Sequence, residues 1–130
     1  MDIKNQKIYH LVFATYKRKP ILYAELYRYT LSAILNNIFI EKKIKVIIYK
    51  ILSDHIHLLI VKQKNVELFW IIKLIKGIST YYFYQQFNDI KFDVQKGRLW
   101  AKGYWWELIK NEKQLKNTIL YIKNNNDKYK

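Results

Sequence analysis

A short apolar run at residues 53–61 places the tightest limit on how this chain can fold. Its sequence, SDHIHLLIV, is rich in branched side chains and too short for a helix, which indicates a buried β-strand. Side chains alternate between the two faces of a strand, so His55 and His57 point to one side and Ile56 points to the other. Two neutral imidazoles on one rigid surface supply half of a metal site. On spacing alone, they could equally be polar residues at the solvated end of a strand.

The remaining apolar patterns predict strands and helices in the order βαββαβα, with no repeat and no second domain. The short Ser53-Asp54 turn before the histidine strand implies an antiparallel hairpin. We therefore expect one α+β domain over residues 1–130, a ferredoxin-like split βαβ sandwich. It would have a four-stranded antiparallel sheet, two helices on one face and a C-terminal helix that bears a tyrosine. The expected strands are 8–15, 45–52, 55–61 and 98–109, the last interrupted at Gly103, and the expected helices are about 21–40, 65–87 and 112–125.

Local signals predict how the helices begin. Pro20 fits the first turn of the first helix, Asn65 fits the N-cap of the second, and Asn111 with Gln114 forms a capping box for the last. Gly77 lies inside the second helix at a cost of about 1 kcal/mol relative to alanine, which indicates close packing or close approach to a ligand. A loop is expected at residues 88–97. The stripes expected to face the core are Leu31, Ile34, Leu35 and Ile38 in the first helix, and Leu68, Ile71, Ile72, Ile75 and Tyr82 in the second.

The charge of the chain indicates a polyanionic partner. Lys and Arg number 24 against 10 Asp and Glu, giving +14, and the charges are spread through the chain. Nucleic acid is favoured over a membrane surface, which would call for a basic amphipathic helix, and the 17% aromatic content favours single strands. The absence of cysteine excludes disulfides, cysteine-based zinc sites and a thiol nucleophile. With no signal peptide or membrane span in the pattern, we expect a cytoplasmic protein, nucleoid-associated when bound to DNA.

The last helix presents a tyrosine away from its apolar stripe. Leu115, Ile119 and Ile122 form that stripe, and Tyr121 lies roughly 200° around the helix from Ile119. Asn125, four residues later, is about 40° from Tyr121, so both side chains can point at one object. The alternative is a solvent-facing tyrosine in a chain that has 12 of them.

A phenol and a metal site together suit chemistry on a phosphodiester. A phenol is almost entirely protonated at neutral pH, but a divalent cation that polarises the phosphodiester favours the phenolate as a nucleophile. Attack gives a phosphotyrosine ester that preserves the energy of the broken bond for rejoining. Two imidazoles and an amide oxygen leave coordination positions for phosphate and water, which suits Mg²⁺ or Mn²⁺ better than a closed structural zinc site.

Five segments in this order resemble a known family over nearly the whole chain. It is that of the single-tyrosine HUH transposases of small prokaryotic insertion sequences, especially their REP-associated tyrosine transposase branch. The segments are Tyr9-His10-Leu11-Val12-Phe13-Ala14-Thr15 with the basic residues after it, His55-Ile56-His57-Leu58-Leu59, Ile75-Lys76-Gly77, Leu99-Trp100-Ala101-Lys102-Gly103-Tyr104, and Tyr121-Ile122-Lys123-Asn124-Asn125.

The resemblance implies a specific set of site residues. His55, His57 and Asn125 would bind the divalent metal, and Tyr121 would cleave single-stranded DNA at a hairpin end, forming a 5′-phosphotyrosine and releasing a 3′-OH. Where the REP-associated branch usually has Asn-Pro, this chain has Asn125-Asn126, so Asn124 or Asn126 is the alternative amide ligand. His10 is read as a strand residue and not as a third ligand. The residues expected to bind the DNA are Lys17, Arg18, Lys19, Lys73, Lys76 and Lys102.

The resemblance also implies a homodimer, with the active site assembled either within one chain or between two. Two alternative functions remain at this point. A non-catalytic basic ferredoxin-like domain that binds single-stranded nucleic acid would explain the charge and the aromatic content but not the histidine pair. A metal-dependent nuclease that activates water would explain the histidines without using Tyr121.

Overall fold

The computed structural model describes residues 6–89 and 97–125. Within these ranges the chain forms four strands, three α-helices and a short 3₁₀ helix at Tyr16–Arg18. The sheet is antiparallel throughout, in the order β2-β3-β1-β4, which confirms the predicted ferredoxin-like α+β architecture. The elements are β1 (Lys7–Ala14), α1 (Glu25–Glu41), β2 (Lys45–Ile51), β3 (His55–Lys62), α2 (Leu68–Gln86), β4 (Trp105–Leu108) and α3 (Glu112–Asn124).

The central strand β3 has a different core on each of its faces. Ile56, Leu58 and Ile60 are fully buried in the large core that packs α1 and α2 against the sheet. Leu59 points the other way, into a smaller cluster that seats α3 through Leu115 and Ile122. The alternation expected of a strand therefore holds, and it places the two histidines on the α3 side.

The first helix begins later than its proline predicted. Pro20 is exposed and precedes a turn, and α1 begins only at Glu25, so the placement of Pro20 in the first helical turn is wrong. The reason is tertiary: the Leu22 N–H donates to the Ser53 carbonyl, which holds this segment against the β2–β3 turn. One guanidinium nitrogen of Arg28 then donates to the carbonyls of Leu22 and Tyr23.

Two predictions about α2 are also wrong, and one of the two explanations offered for Gly77 is excluded. Asn65 adopts a left-handed backbone conformation in the turn before the helix, and Glu67 occupies the N-cap position. Tyr82 is 50% exposed, whereas Phe83, which follows Ile72, Ile75 and Ser79 at helical spacing, is fully buried. Apart from its chain neighbours and its own helix backbone, a Cβ built on Gly77 would meet no described atom within 4 Å, so close packing does not explain this glycine, and close approach to a ligand stays a prediction.

The predicted fourth strand is shorter than expected, and the predicted cap of the last helix is confirmed. Strand β4 keeps only Trp105–Leu108, and before it Trp100 forms a single bridge with Thr15. The Asn111 side chain accepts from the Gln114 N–H at 2.8 Å, and the Gln114 side chain accepts from the Lys110 N–H at 2.7 Å. Most of the loop expected at 88–97 lies outside the described residues. In the part of the chain that the structure describes, every helix is too short or too polar to cross a bilayer.

Candidate active site

The two candidate metal ligands lie side by side on β3, as predicted. Their ring centroids are 5.0 Å apart, and the strand carrying them is hydrogen-bonded to β1 on one side and to β2 on the other. A central strand paired on both edges is a rigid support for a site that depends on ligand spacing.

A buried carboxylate orients His55. Asp54 is 3% exposed, and its Oδ1 lies 2.7 Å from His55 Nδ1, while its Oδ2 is paired with the Arg18 guanidinium at 3.3 Å. A carboxylate can only accept here, so His55 Nδ1 donates to it, and in the neutral ring Nε2 keeps its lone pair. The sequence analysis did not identify Asp54 as a site residue. Its position directly before His55 was a local signal, but a residue of the turn before the strand explained it equally well.

His57 lies between a second buried histidine and the end of α3. Its Nδ1 is 3.0 Å from His10 Nε2, and its Nε2 is 2.9 Å from Asn125 Nδ2. The amide nitrogen only donates, so His57 Nε2 accepts. Burial lowers the pKa of His57 to about 4, helped by the neighbouring His55, His10 and Lys50, and burial also lowers the pKa of His10 despite the nearby Glu107. Both rings are therefore neutral at pH 7.

Tyr121 stands over the histidines of its own chain. It is 58% exposed, and its ring centroid lies 5.7 Å from that of His57 and 6.1 Å from that of His10. The predicted stripe explains this placement, because Leu115 and Ile122 are buried against the sheet and turn Tyr121 towards β3. The candidate nucleophile and the histidine pair thus face the same space.

Lys50 ties the end of α3 to the sheet. Lys50 is the β2 residue paired with His57, and its ammonium donates to the carbonyls of Lys123, at 3.1 Å, and Asn125. These bonds satisfy carbonyls at the C-terminus of a helix, where a positive charge is also favourable. The contact joins residues 73 apart in the chain, so no local pattern could have identified it.

The three histidines and Tyr121 face an open depression of about 760 Å³. His10, His55, His57 and Tyr121 line it, with Arg18 and Lys113 adding positive charge and Glu107 adding a carboxylate. The cavity is large enough for part of a polymeric substrate and is open to solvent, as a site for a nucleic-acid strand must be.

The donor set fits an open metal site. Among the described residues, no three His, Cys, Asp or Glu side chains come together as a closed ligand cage. What the site offers is one lone pair on each Nε2 of His55 and His57, together with the Asn125 amide beside them. Coordination through the Asn125 oxygen requires the amide to rotate, because its nitrogen now faces His57. The remaining positions would be available to phosphate oxygens and water.

The alternative amides are less well placed or not described. Asn124 is exposed at the last helical position, and Asn126 lies outside the described residues. Of the three, Asn125 is the one that contacts His57.

The residues predicted to bind DNA fall into two groups. Lys17 and Arg18 are exposed on the 3₁₀ helix, Lys19 is exposed directly after it, and Arg18 reaches the candidate site. The other three, Lys73, Lys76 and Lys102, line a second depression beside α2, where Arg98 joins them.

Lys76 differs from its neighbours in the second depression because its ammonium is already engaged. It donates to the carbonyls of Ala101 at 2.9 Å and Gly103 at 2.6 Å, and it lies over the Phe13 ring at 5.1 Å. Burial lowers its pKa. These contacts give Lys76 a role in fastening α2 to the segment before β4. Lys73 lies over the exposed Trp70 ring at 5.0 Å, and its charge faces solvent.

Comparison with known proteins finds transposases. The family model described as "Transposase IS200 like" matches residues 3–125. The transposase for insertion sequence element IS200 of Salmonella typhimurium is 29% identical over 112 residues, which cover 85% of this chain and 73% of that protein. The ISDra2 transposase TnpA of Deinococcus radiodurans is 27% identical over 96 residues, covering 74% of this chain and 68% of that protein.

Two solved structures share the fold. A candidate transposase from Deinococcus radiodurans R1 superposes with a TM-score of 0.73 at 24% identity, covering 94% of this chain and 92% of that chain. A REP-associated tyrosine transposase bound to a REP hairpin superposes with a TM-score of 0.67 at 14% identity, covering 89% of this chain and 64% of that chain. At these identities the likeness concerns the arrangement of the helices and strands.

Proposed function

The chain belongs to the IS200-like transposase family, and from this premise we propose that it is a metal-dependent single-strand DNA endonuclease and strand-transferase that uses Tyr121 as its nucleophile. The observation that carries the proposal is the position of the Tyr121 ring, 5.7 Å from the ring of His57 on the face that also bears His55. A solvent-facing tyrosine without a function would not be expected to face the histidine pair on β3.

The proposed reaction is a reversible transesterification. The Tyr121 oxygen attacks the scissile phosphorus as its proton passes to solvent. The bond from phosphorus to the 3′ oxygen breaks, and that oxygen takes up a proton from solvent, which leaves a free 3′-OH. The 5′ phosphate stays on Tyr121 as a phosphotyrosine ester. Attack of another 3′-OH on that ester rejoins the strand and releases the tyrosine, so no external energy source is needed.

His55, His57 and Asn125 would hold the Mg²⁺ or Mn²⁺ ion that this chemistry calls for. When bound, such an ion neutralises charge on the scissile phosphate and lowers the cost of forming the phenolate. The protein contributes the orientation: Asp54 directs His55, Lys50 holds the end of α3, and the buried cluster beneath α3 keeps Tyr121 over the histidines.

The proposed substrate is single-stranded DNA with a hairpin. Its support is the net charge of +14 and the two separate basic surfaces, one at the candidate site and one beside α2. A hairpin seated on the α2 surface would leave its single-stranded flank free to enter the depression under Tyr121. The approach of Tyr121 to the histidines within one chain supports a site assembled in cis; the homodimer inferred from the resemblance stays a prediction.

A denaturing gel tests the proposal. The protein is incubated with 3′-labelled hairpin DNA from the ends of its own locus, with Mn²⁺ or with EDTA, and wild type is compared with Tyr121→Phe. A labelled protein band that needs Mn²⁺ and is lost in Tyr121→Phe is the expected result. Tyr29→Phe is the matched control, because Tyr29 is 74% exposed on α1, away from the site.

The two alternative functions give different patterns. Cleavage without a covalent band, retained in Tyr121→Phe, would indicate a nuclease that activates water. Retarded DNA in a native gel with neither cleavage nor a covalent band would indicate a binding module. Either pattern would overturn the proposed mechanism.

A further inference from the structure

A third histidine, His10, is buried behind the candidate metal ligands. It lies at the middle of β1, is 5% exposed, and its ring meets that of His57 edge to edge, with centroids 5.2 Å apart and an interplanar angle of 26°. Its Nε2 is 3.0 Å from His57 Nδ1. A buried polar side chain in the middle of a sheet is costly unless it makes hydrogen bonds, so its presence calls for an explanation.

The direction of the hydrogen bond between the two rings follows from the other contact of His57. Asn125 donates its amide N–H to His57 Nε2, so that nitrogen carries no proton. In a neutral ring the proton is then on Nδ1, and His57 donates to His10 Nε2. His10 is consequently the acceptor, with its own proton on Nδ1, on the side of the ring away from this bond.

We propose that His10 is a positioning residue for His57, holding it as the Nδ1–H tautomer with its Nε2 lone pair directed at the metal. The inference rests on the proposed function, because it assigns His10 a purpose within that site. A ligand histidine whose second nitrogen has no fixed partner can populate both tautomers and rotate about its side-chain torsions. His10 removes that freedom.

The two ligands of the pair are held in chemically different ways. Asp54 accepts from His55 with a full negative charge, whereas His10 accepts from His57 as a neutral ring. A neutral acceptor orients the ligand without adding a second buried carboxylate behind the pair. The Nε2 atom of His10 already accepts a hydrogen bond from His57, so His10 does not present that lone pair to the metal.

Two variants separate the hydrogen bond from the packing of the ring. His10→Gln places an amide oxygen where Nε2 lies and can still accept from His57 Nδ1–H. His10→Leu fills similar space and cannot accept. Affinity for Mn²⁺ is measured by the electron paramagnetic resonance signal of the free ion, and the tautomer of His57 is read from ¹⁵N chemical shifts in the metal-free protein. Urea unfolding reports whether each variant folds.

The expected result is a loss of roughly 10–100-fold in Mn²⁺ affinity in His10→Leu, with affinity near that of wild type in His10→Gln. The ¹⁵N shifts of His57 should report the Nδ1–H tautomer in wild type and His10→Gln. In His10→Leu they should report a mixture, because the Asn125 amide can then rotate and accept from Nε2–H instead. Equal losses in both variants, or unchanged affinity in His10→Leu, would overturn the proposal. If Leu prevents folding, the wild-type and His10→Gln spectra decide the tautomer.

Failure of the proposed function would be recognised separately. Wild-type protein that does not bind Mn²⁺ would remove the metal from the proposed mechanism, and the ¹⁵N spectra of the metal-free protein would still decide the inference about His10. A His57 found as the Nε2–H tautomer in wild type would overturn the inference even if Mn²⁺ binds.

Discussion

The ammonium of Lys50 donates a hydrogen bond to the main-chain carbonyl of Lys123 at 3.1 Å, joining the strand beside the histidines to the last turn of the helix that bears Tyr121. The same ammonium reaches the carbonyl of Asn125. One lysine therefore sets the distance between the two halves of the candidate site.

Replacing Lys50 with methionine should loosen the end of α3 while leaving the sheet intact. We expect a loss of about 1 kcal/mol in local stability, since a hydrogen bond from a charged group to two carbonyls is removed. Hydrogen exchange of the amides at 119–124 should accelerate, and the yield of covalent DNA product should fall. Lys45→Met, an exposed change on the same strand, is the control. Unchanged exchange at 119–124 would show that the hydrophobic cluster alone seats the helix.

Asp54→Asn should weaken metal binding without removing a ligand. The amide can still accept from His55 Nδ1–H, but it lacks the charge that raises the basicity of the ring and pairs with Arg18. Loss of an outer partner of this kind costs roughly 10–100-fold in metal affinity. Titration with Mn²⁺ measures it, with the exposed Asp89→Asn as control. Identical affinities in the two variants would exclude the proposed role of Asp54.

Stability of the metal-free protein should fall as the pH falls from about 6.5 towards about 4. The pKa of His57 is lowered by burial to about 4 from the ordinary 6.5, so between these values the unfolded chain binds the proton and the folded chain does not. Stability therefore increases with pH across this window and is fully present above it. Urea unfolding in EDTA measures the effect. The free energy of unfolding of His57→Gln should depend less steeply on pH than that of wild type. An equal or steeper dependence would contradict the lowered pKa of His57.

The basic surface beside α2 should contribute to DNA affinity through charge alone. Lys73→Ala and Lys102→Ala each remove a solvent-facing ammonium from that depression, so hairpin binding should weaken and the slope of log affinity against log salt should shrink by about 1 for each. Filter binding over a series of salt concentrations measures this. Lys7→Ala is the control, because Lys7 begins β1 whereas the depression lies beside the end of that strand. Slopes equal to that of the control would place the hairpin elsewhere.

Lys76→Met should instead lower stability. Its ammonium donates to the carbonyls of half-buried Ala101 and exposed Gly103, and losing these hydrogen bonds should cost about 1 kcal/mol. Thermal unfolding measures the change, with Lys73→Met as the matched control on the same helix. A loss of DNA affinity without a loss of stability would instead support the predicted role of Lys76 in DNA binding.

Local periodicity predicted the elements and the faces that they present. The two-residue alternation along β3 put the histidines on one side, and the stripe through Leu115 and Ile122 put Tyr121 opposite them. These predictions succeeded because each depends only on the geometry of one element.

The partners of the site residues depend on contacts between distant parts of the chain. His10 meets His57 across 47 residues through the pairing of β1 with β3, and Lys50 meets Lys123 across 73. The placement of Pro20 failed for a related reason, because the Leu22 bond to Ser53 overrides the local preference for a helix start. The prediction that Tyr82 faces the core was wrong by one position, because the buried stripe of α2 continues through Ser79 to Phe83.

The small cluster under α3 has a consequence for how the site opens. Its fully buried anchors are few, chiefly Ile8, Leu59 and Ile122, whereas β3 is fixed on its other face by the large core under α1 and α2. Free energies of local opening follow such differences in packing. The helix that carries the tyrosine should detach from the sheet in a partial opening that leaves the histidines in place. Tyr121 and Asn125 on one side, and the two histidines on the other, should thus belong to two cooperative units, and substitutions in the small cluster should tune the first without unfolding the second.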